Sequence, residues 1–215
     1  FVRGSSDTYL VEKLSKADVV VHLAGENRPE SPDMFHLVNA GLTSKIANIL
    51  SSLGRKVPIV FSSSAQASLE NAYGKSKLAA EDILSKLSSE NGNPIVIYRL
   101  KGVFGKWSKP NYNSVVATFC HNIARNLPIE ISDPNRLLSL SYIDEVVDAF
   151  ISQIRNPNLG VTRDNTVPFY EITLVDLADQ IKAFDNCRSS LVSERVGIGL
   201  SRALYATYIS FLPVD

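Results

Sequence analysis

The chain has 215 residues, enough for one domain with a substantial core, and 45% of them are hydrophobic and 20% charged. Its 22 basic and 22 acidic residues cancel, so it lacks the basic excess typical of nucleic-acid-binding proteins. Two cysteines and three histidines without metal-ligand spacing predict no metal site and a reducing, cytoplasmic setting. No apolar run approaches the roughly 18 residues of a membrane span, so we expect no membrane association.

Helix-like and strand-like patterns alternate along the first hundred residues. The order is a short helix capped by Asp7, a strand, a helix ended by Gly54, a second strand, a second long helix and a third strand. In chain order these elements cover residues 7–17, 18–25, 35–53, 57–64, 71–89 and 93–100. Such alternation predicts a parallel sheet covered by helices on both faces, a Rossmann-like, doubly wound α/β fold.

The pattern loosens after about residue 103. A polar and aromatic loop, "FGKWSKPNYNS", precedes a predicted helix over about 113–126. A strand followed by a helix capped near Asp144 is predicted within residues 137–154, and two further helices within 171–184 and 201–211. No GxGxxG or GxxGxxG motif occurs, so the predicted sheet lacks its first glycine-rich βαβ unit.

Two tyrosines precede a lysine by four residues, in the pairs Tyr9/Lys13 and Tyr73/Lys77. Residues four apart lie on the same face of a helix, so both pairs bring a phenol near an ammonium. No polar strand end precedes Tyr9, and we interpret that pair as an ordinary solvent-facing helix surface. The pair Tyr73/Lys77 differs, because a predicted strand with a polar end precedes it.

Tyr73 and Lys77 follow a predicted strand that ends in Ser62, Ser63 and Ser64. Parallel sheets bind ligands at the carboxyl ends of their strands. A nearby ammonium favours the phenolate of a tyrosine, which can then exchange a proton with a hydroxyl or carbonyl held by a serine. This pattern favours general acid chemistry for hydride transfer from a nicotinamide. The alternative is a helix with ordinary polar residues near its start.

Four segments together resemble the extended short-chain dehydrogenases/reductases that act on nucleotide sugars. They are "VVVHLAG", "FSSS", "YGKSK" and "SLSYIDEVVDAF". The resemblance implies that Ser64, with Ser63 as a close second, forms a catalytic set with Tyr73 and Lys77. It also implies a nicotinamide cofactor and a set of cofactor-binding residues. These are Ala24, Gly25, Asn39, Ser62, Lys77 and Arg99.

Longer segments resemble the CapF-type subgroup of that family. They are "HLAGENRPE", "SSSAQASLENAYGKSKLAAE", "FGKWSKPNYNSVVATFCHNIA" and "LYATYISFLP". The resemblance implies NADPH-dependent reduction of the 4-keto group of a UDP-linked 6-deoxy amino sugar, in the synthesis of UDP-N-acetyl-L-fucosamine for capsule or O-antigen. It also implies a homodimer through helices 32–54 and 71–89. The subgroup carries a glycine-rich first unit and a zinc-binding C-terminal cupin domain that are absent here, so we expect a fragment of a longer protein.

The predicted substrate-binding residues are Arg28, Ser64, Asn111, Tyr112 and Asn113. The amides and the phenol of the loop suit the sugar or its diphosphate, and Arg28 suits an anionic group. The alternatives are a solvated loop with turn chemistry and a solvent-facing arginine. We expect one partial cofactor-binding domain over 1–215, of which about 103–215 contributes the substrate-binding part. Lys101 and Gly102 depart from the Pro-Asn that the subgroup usually shows.

Two alternatives to the reductase stay open. One is a UDP-sugar epimerase or dehydratase with tightly bound NAD⁺. Ala65 and Gln66 stand where a dehydratase usually carries Asp-Glu, which argues against that activity. The other is a non-catalytic fragment or assembly domain.

Overall fold

The structure is a computed structural model that describes residues 1–2 and 4–213, except for the side chain of Arg188. The chain forms two compact units. The first unit comprises Phe1–Leu100 and Asp148–Thr166, and the second comprises Lys101–Val147 and Val167–Asp215. The chain leaves the first unit after residue 100 and returns to it for the nineteen residues 148–166. This returning segment contains the last strand of the first unit's sheet.

The helices and strands alternate as expected through β3. The elements up to residue 100 are α1 Asp7–Lys16, β1 Val20–His22, α2 Asp33–Phe35, a π-helical turn His36–Ala40, α3 Gly41–Ser52, β2 Ile59–Ser64, a 3-10 turn Ala65–Ser68, α4 Ala72–Asn91 and β3 Ile95–Leu100. The remaining elements are β4 Gly102–Phe104, α5 Val115–Ile123, β5 Leu137–Tyr142, α6 Ile143–Arg155, β6 Val161–Asp164, β7 Tyr170–Thr173, α7 Leu174–Ser190 and α8 Gly199–Ile209.

The sheet of the first unit has the strand order β1-β2-β3-β6, and every pair is parallel. This confirms the predicted parallel α/β sheet. In its register His22 lies opposite Phe61, so the segments that follow β1 and β2 leave the sheet at the same edge. Its core is built from apolar side chains of α1, α3, α4 and the first three strands. Members include Leu10, Leu14, Ile46, Leu50, Ile59, Phe61, Leu84, Leu87, Ile95 and Ile97.

Local signals account for most helix boundaries. Gly54 and Gly92 have positive φ angles of 62° and 82°, and Gly54 follows α3 as its spacing predicted. The prediction that Asp7 caps α1 was wrong by one residue. The Ser6 side chain accepts the hydrogen bond from Tyr9 N, and Asp7 is the first helical residue. Across the described residues, no helix is both long and apolar enough to cross a membrane.

The second unit contains a three-stranded sheet with the order β4-β5-β7. Strands β4 and β5 are parallel, and β5 and β7 are antiparallel. The sequence predicted β5 and α6 but not β4, β6 or β7, and the segment 171–184 that was predicted as helix begins as β7. The core of this unit is formed by α5, α7, α8 and the sheet. Members include Phe104, Val116, Phe119, Leu140, Leu177, Ile181, Phe184, Leu204 and Tyr208.

Candidate active site

Tyr73 and Ser64 lie together at the carboxyl end of β2, where the Ser64 hydroxyl lowers the pKa of the Tyr73 phenol as a hydrogen-bonding neighbour. Ser64 is the last residue of β2, and its hydroxyl also accepts a hydrogen bond from Gln66 N at 3.2 Å. Tyr73 lies in the first turn of α4, where its ring packs edge-on against Phe35 at a centroid distance of 5.5 Å. Burial raises the pKa of the Tyr73 phenol above its ordinary value, and the hydrogen bond with Ser64 lowers it in part. The phenol is therefore held as a proton donor.

Lys77 extends from α4 toward the same strand end and is 3% exposed. Its Nζ atom donates a hydrogen bond to the backbone oxygen of Ser62 at 2.7 Å and lies 4.4 Å from the centroid of the Phe61 ring. Burial lowers the pKa of Lys77 to about 8, and the charge of Glu81 opposes that shift. The described hydrogen bonds use one of the three ammonium donors.

The sequence predicts that the ammonium of Lys77 lowers the pKa of Tyr73. That prediction is wrong: burial is the largest influence on this phenol, and it raises the pKa of Tyr73. The Lys77 ammonium is itself desolvated and donates a hydrogen bond to the carbonyl of Ser62.

The close approach of α4 to the end of β2 requires a glycine at position 74. A Cβ atom there would lie 2.1 Å from the backbone oxygen of Gln66 and 2.8 Å from that of Leu69. The side chain of Asn71 fixes the start of the helix, since its Oδ1 atom accepts a hydrogen bond from Gly74 N at 2.7 Å. Sequence reasoning did not single out Gly74, although it stands inside "YGKSK" directly after Tyr73.

Asn39 ties the segment after β1 to α4. Its Oδ1 atom accepts a hydrogen bond from Glu26 N at 2.6 Å, and its Nδ2 atom donates to Glu26 O at 3.1 Å and to Ser76 Oγ at 2.9 Å. Asn39 is 3% exposed. This buried amide fixes the backbone of the loop in which Gly25 lies.

Gly25 is exposed after the end of β1. A Cβ atom on it would lie 3.2 Å from Asn39 Oδ1 and 3.7 Å from Lys77 Nζ, so the glycine packs closely against both side chains. Its contact with a cofactor ribose stays a prediction. Ala24, the residue before Gly25, is exposed. Ser62 contributes its backbone oxygen to Lys77, while its hydroxyl donates to His22 O at 3.3 Å.

Two of the predicted residues point into the first unit. The hydroxyl of Ser63 donates to the buried carboxylate of Glu81 at 2.5 Å, and the guanidinium of Arg99 pairs with the same carboxylate. The geometry therefore favours Ser64 over Ser63 as the partner of Tyr73. A cofactor-binding role for Arg99 stays a prediction, as do the roles of the other predicted site residues. Arg28 is exposed and its backbone N–H donates to Glu26 Oε1 at 3.0 Å.

The predicted substrate loop lies in the second unit. Asn111 has a positive φ of 53°, and its backbone N–H donates to Thr118 Oγ1 at 3.0 Å. The ring of Tyr112 lies 5.3 Å from Lys109 Nζ. Asn113 is exposed, immediately before the Ser114 cap of α5.

Lys101 and Gly102 also lie in the second unit. The Nζ atom of Lys101 is 5.0 Å from the Phe169 ring, and Gly102 begins β4. No cluster of three or more His, Cys, Asp or Glu side chains within the described part of the chain is placed to hold a metal ion.

The second Tyr-Lys pair serves as an internal comparison. Tyr9 is 42% exposed, and Lys13 Nζ lies 4.9 Å from its ring on the outer face of α1. Lys13 also lies 3.7 Å from the carboxylate of Glu12. The interpretation of this pair as a solvent-facing helix surface is confirmed.

A parallel sheet with a Tyr, a Lys and a Ser at the carboxyl end of one strand defines the class of nicotinamide-dependent dehydrogenases and their relatives. The sequence profile of the NAD dependent epimerase/dehydratase family matches residues 5–167. The chain belongs to this family, as its resemblance to the extended short-chain dehydrogenases/reductases predicted.

Two relatives match almost the whole chain. It is 46% identical over 215 residues to the UDP-2-acetamido-2,6-beta-L-arabino-hexul-4-ose reductase of Pseudomonas aeruginosa, covering all of this chain and 58% of that protein. The crystal structure of the capsular polysaccharide assembling protein CapF from Staphylococcus aureus superposes with a TM-score of 0.86 at 40% identity. That match covers 98% of this chain and 57% of CapF. The chain thus spans somewhat more than half the length of these relatives.

The fold extends to more distant proteins. The Bordetella bronchiseptica enzyme WbmF, in complex with NAD⁺, superposes with a TM-score of 0.77 at 17% identity. That alignment covers 96% of this chain and 76% of WbmF. At this identity the match confirms the α/β fold alone.

Proposed function

We propose that this chain is the catalytic part of a reductase that uses NADPH to reduce the 4-keto group of a UDP-linked 6-deoxy amino sugar. The observation that carries the proposal is the partly buried Tyr73 phenol beside Ser64, with a raised pKa, in a chain 46% identical to the Pseudomonas reductase. The similarity to CapF supports a place in capsular polysaccharide synthesis. We assign the reaction to the cytoplasm, where nicotinamide cofactors are kept reduced.

Each residue of the site has one role in this proposal. When bound, the nicotinamide supplies the hydride that converts the C4 carbonyl carbon to an alcohol carbon. Tyr73 donates the matching proton to the carbonyl oxygen, and water replaces that proton on the phenolate. Ser64 donates a hydrogen bond to the same carbonyl oxygen and so orients it. Lys77 holds the ribose next to Gly25 through the ammonium donors that the Ser62 carbonyl leaves unused.

The substrate side of the proposal rests on the second unit. Asn111, Tyr112 and Asn113 are assigned to the sugar or the diphosphate, since amides, a phenol and the neighbouring Lys109 offer several hydrogen-bond donors. Arg28, which belongs to the first unit, is assigned to an anionic group by its guanidinium.

A homodimer is part of the proposal. Residues 32–54 and 71–89 carry apolar side chains that remain exposed on the single chain. Among them Leu37 is 66% exposed, Met34 38% and Leu78 37%. A second copy of the chain that packs against these helices would remove that apolar surface from water, which favours association.

Net consumption of the reduced cofactor tests the proposal. The complete protein, incubated with the UDP-linked 4-keto sugar, should oxidise one NADPH for each sugar reduced, and a parallel reaction with NADH measures the cofactor preference. An epimerase or dehydratase returns the hydride to its substrate and shows no net consumption. A protein without catalytic function changes neither the cofactor nor the sugar. Either of these last two outcomes contradicts the proposal.

A further inference from the structure

Glu81 is a fully buried carboxylate that lies one helical turn after Lys77 on α4, and its side chain is 0% exposed. Three side chains, one from each of three strands, contact or approach it. Ser63 Oγ on β2 donates to Oε1 at 2.5 Å. Arg99 Nε on β3 donates to Oε1 at 2.9 Å, and its Nη2 donates to Oε2 at 2.7 Å. Arg163 Nε on β6 lies 3.7 Å from Oε2.

A buried charge of this kind is costly unless it is paired and hydrogen-bonded. Two guanidinium groups face one carboxylate, and both of its oxygens accept hydrogen bonds. Because Arg99 binds in a two-pronged geometry, the carboxylate has little freedom to rotate. Glu81 therefore links α4 to β2, β3 and β6 within the first unit.

The link to β2 falls in the middle of the candidate active site. Ser63 stands between Ser62, whose carbonyl holds the ammonium of Lys77, and Ser64, which holds the phenol of Tyr73. Side chains alternate between the two faces of a strand. The inward hydrogen bond of Ser63 therefore fixes the orientation in which Ser64 points to the opposite side.

Glu81 also acts on Lys77 by its charge. Lys77 is buried, so an anion on the same helix favours its charged form. The other titratable groups that face Lys77 are His22 from β1 and Tyr73 from α4, and both are uncharged near neutral pH because burial lowers the pKa of His22 to about 4 and raises that of Tyr73. Arg99 and Arg163 approach from β3 and β6 on the far side of the carboxylate.

We infer that Glu81 is a positioning residue of this site, which fixes the end of β2 through Ser63 and keeps Lys77 in its ammonium form. The inference rests on the proposed function, because only that function makes Ser64, Tyr73 and Lys77 a catalytic set. In this role Glu81 does not contact the substrate. It acts on Ser64, through Ser63, and on Lys77, both of which the proposed function places at the reaction.

The test is an NMR titration of Lys77 in the complete protein, with lysine labelled at Cε and the Lys77 signal assigned from its loss in Lys77→Met. Glu81→Gln keeps the side-chain size and removes the charge. We expect it to lower the pKa of Lys77 by about one unit. Asp82→Asn removes an exposed carboxylate from the next position of α4 and should leave the Lys77 pKa unchanged. An unchanged Lys77 pKa in folded Glu81→Gln overturns the inference.

Measurements of sugar reduction distinguish a failure of this inference from a failure of the proposed function. The alkaline decline of kcat should move to lower pH in Glu81→Gln by the same amount as the Lys77 pKa, with KM for the sugar unchanged. A shifted Lys77 pKa in a protein that reduces no sugar would contradict the proposed function and leave the electrostatic role of Glu81 intact. A purely structural role would lower the melting temperature without moving either pH dependence, and that result overturns the inference.

Ser63 provides a second test that does not depend on Glu81→Gln folding. Ser63→Ala removes the hydrogen bond to Glu81 and retains both arginine contacts. We expect kcat to fall about tenfold at unchanged KM, since the displaced strand end misorients Ser64. Ser63→Thr keeps the hydroxyl and should recover most of that loss. A kcat in Ser63→Ala equal to that of the unmodified protein overturns the positioning role.

Discussion

The Nζ atom of Lys77 lies 2.7 Å from the backbone oxygen of Ser62, so a helix side chain is anchored to the strand that carries Ser64. The contact places the buried ammonium close to Gly25, where a Cβ atom would lie 3.7 Å from Nζ. Burial lowers the pKa of this lysine to about 8, within reach of a pH titration.

The pH dependence of turnover should report that lysine. The ordinary pKa of 10.5 is lowered to about 8, so Lys77 loses its proton as the pH rises through about 8. We expect kcat to decline over the same range. Lys77→Arg keeps the charge at all accessible pH values, so its residual activity should lack this decline. Lys75→Arg, at an exposed lysine of the same helix, should retain it, and a decline that persists in Lys77→Arg would exclude Lys77 as its cause.

Gly74→Ala should destabilise the junction between α4 and β2. The new Cβ would overlap the backbone oxygens of Gln66 and Leu69, which cannot move as a flexible side chain can. We expect a loss of about 1–3 kcal/mol in the free energy of unfolding, measured by urea titration, and a large loss of kcat. Gly41→Ala is the matched control, because nothing lies within 4 Å of a Cβ there.

The Gly41→Ala control should be neutral or more stable by up to about 1 kcal/mol, since alanine favours the helix. Equal stability of the two variants would contradict the close packing at Gly74.

His22 should make the protein sensitive to acid. The imidazole is buried, bonded to Thr43 Oγ1 at 2.9 Å, and burial lowers its pKa from 6.5 to about 4. The unfolded chain therefore binds more protons between these values, and the stability present above pH 6.5 is lost as the pH falls toward 4. Between pH 7 and pH 5 the free energy of unfolding should fall by about 2 kcal/mol from this group.

Urea titrations at the two pH values measure that difference. His22→Gln should reduce the fall by about 2 kcal/mol, whatever its own effect on stability at pH 7. His36→Gln, at an exposed histidine, should leave the fall as it is. The same fall in His22→Gln and in the unmodified protein would contradict the account of a buried neutral imidazole.

The oligomeric state tests the proposed dimer surface. Leu37→Asp places a charge on the most exposed apolar residue of the segment 32–54. We expect the mass measured by light scattering to fall from that of a dimer to that of a monomer. Leu159→Asp changes an even more exposed leucine outside these helices and should leave the mass unchanged. A dimer that survives Leu37→Asp would place the interface elsewhere.

The sequence predicted the regular part of the fold because β1, β2 and β3 are apolar runs separated by amphipathic helices. It did not predict β6, because the four residues Val161–Asp164 contain no apolar run. Their strand conformation comes from pairing with β3. The sequence predicts helix over β7 because this strand runs directly into α7, whose Leu174, Leu177 and Ile181 have helical spacing. The pairing of Ile172 with Leu138 makes the segment a strand instead.

The candidate site was predictable where its residues are close in the sequence. Tyr73 and Lys77 lie one helical turn apart, and the serines of β2 directly precede that helix. Glu81 was not predictable, because a glutamate on a helix is ordinary and its partners Arg99 and Arg163 follow 18 and more residues later. Only the folded sheet brings those charges together.

The central claim is that Tyr73 donates the proton. In the complete protein, the rate of sugar reduction by NADPH should fall roughly 100- to 10,000-fold in Tyr73→Phe, while binding of the cofactor is retained. Tyr9→Phe makes the same change in the solvent-facing pair and should reduce the sugar at the unmodified rate. A Tyr73→Phe protein that turns over at the rate of Tyr9→Phe would contradict the account.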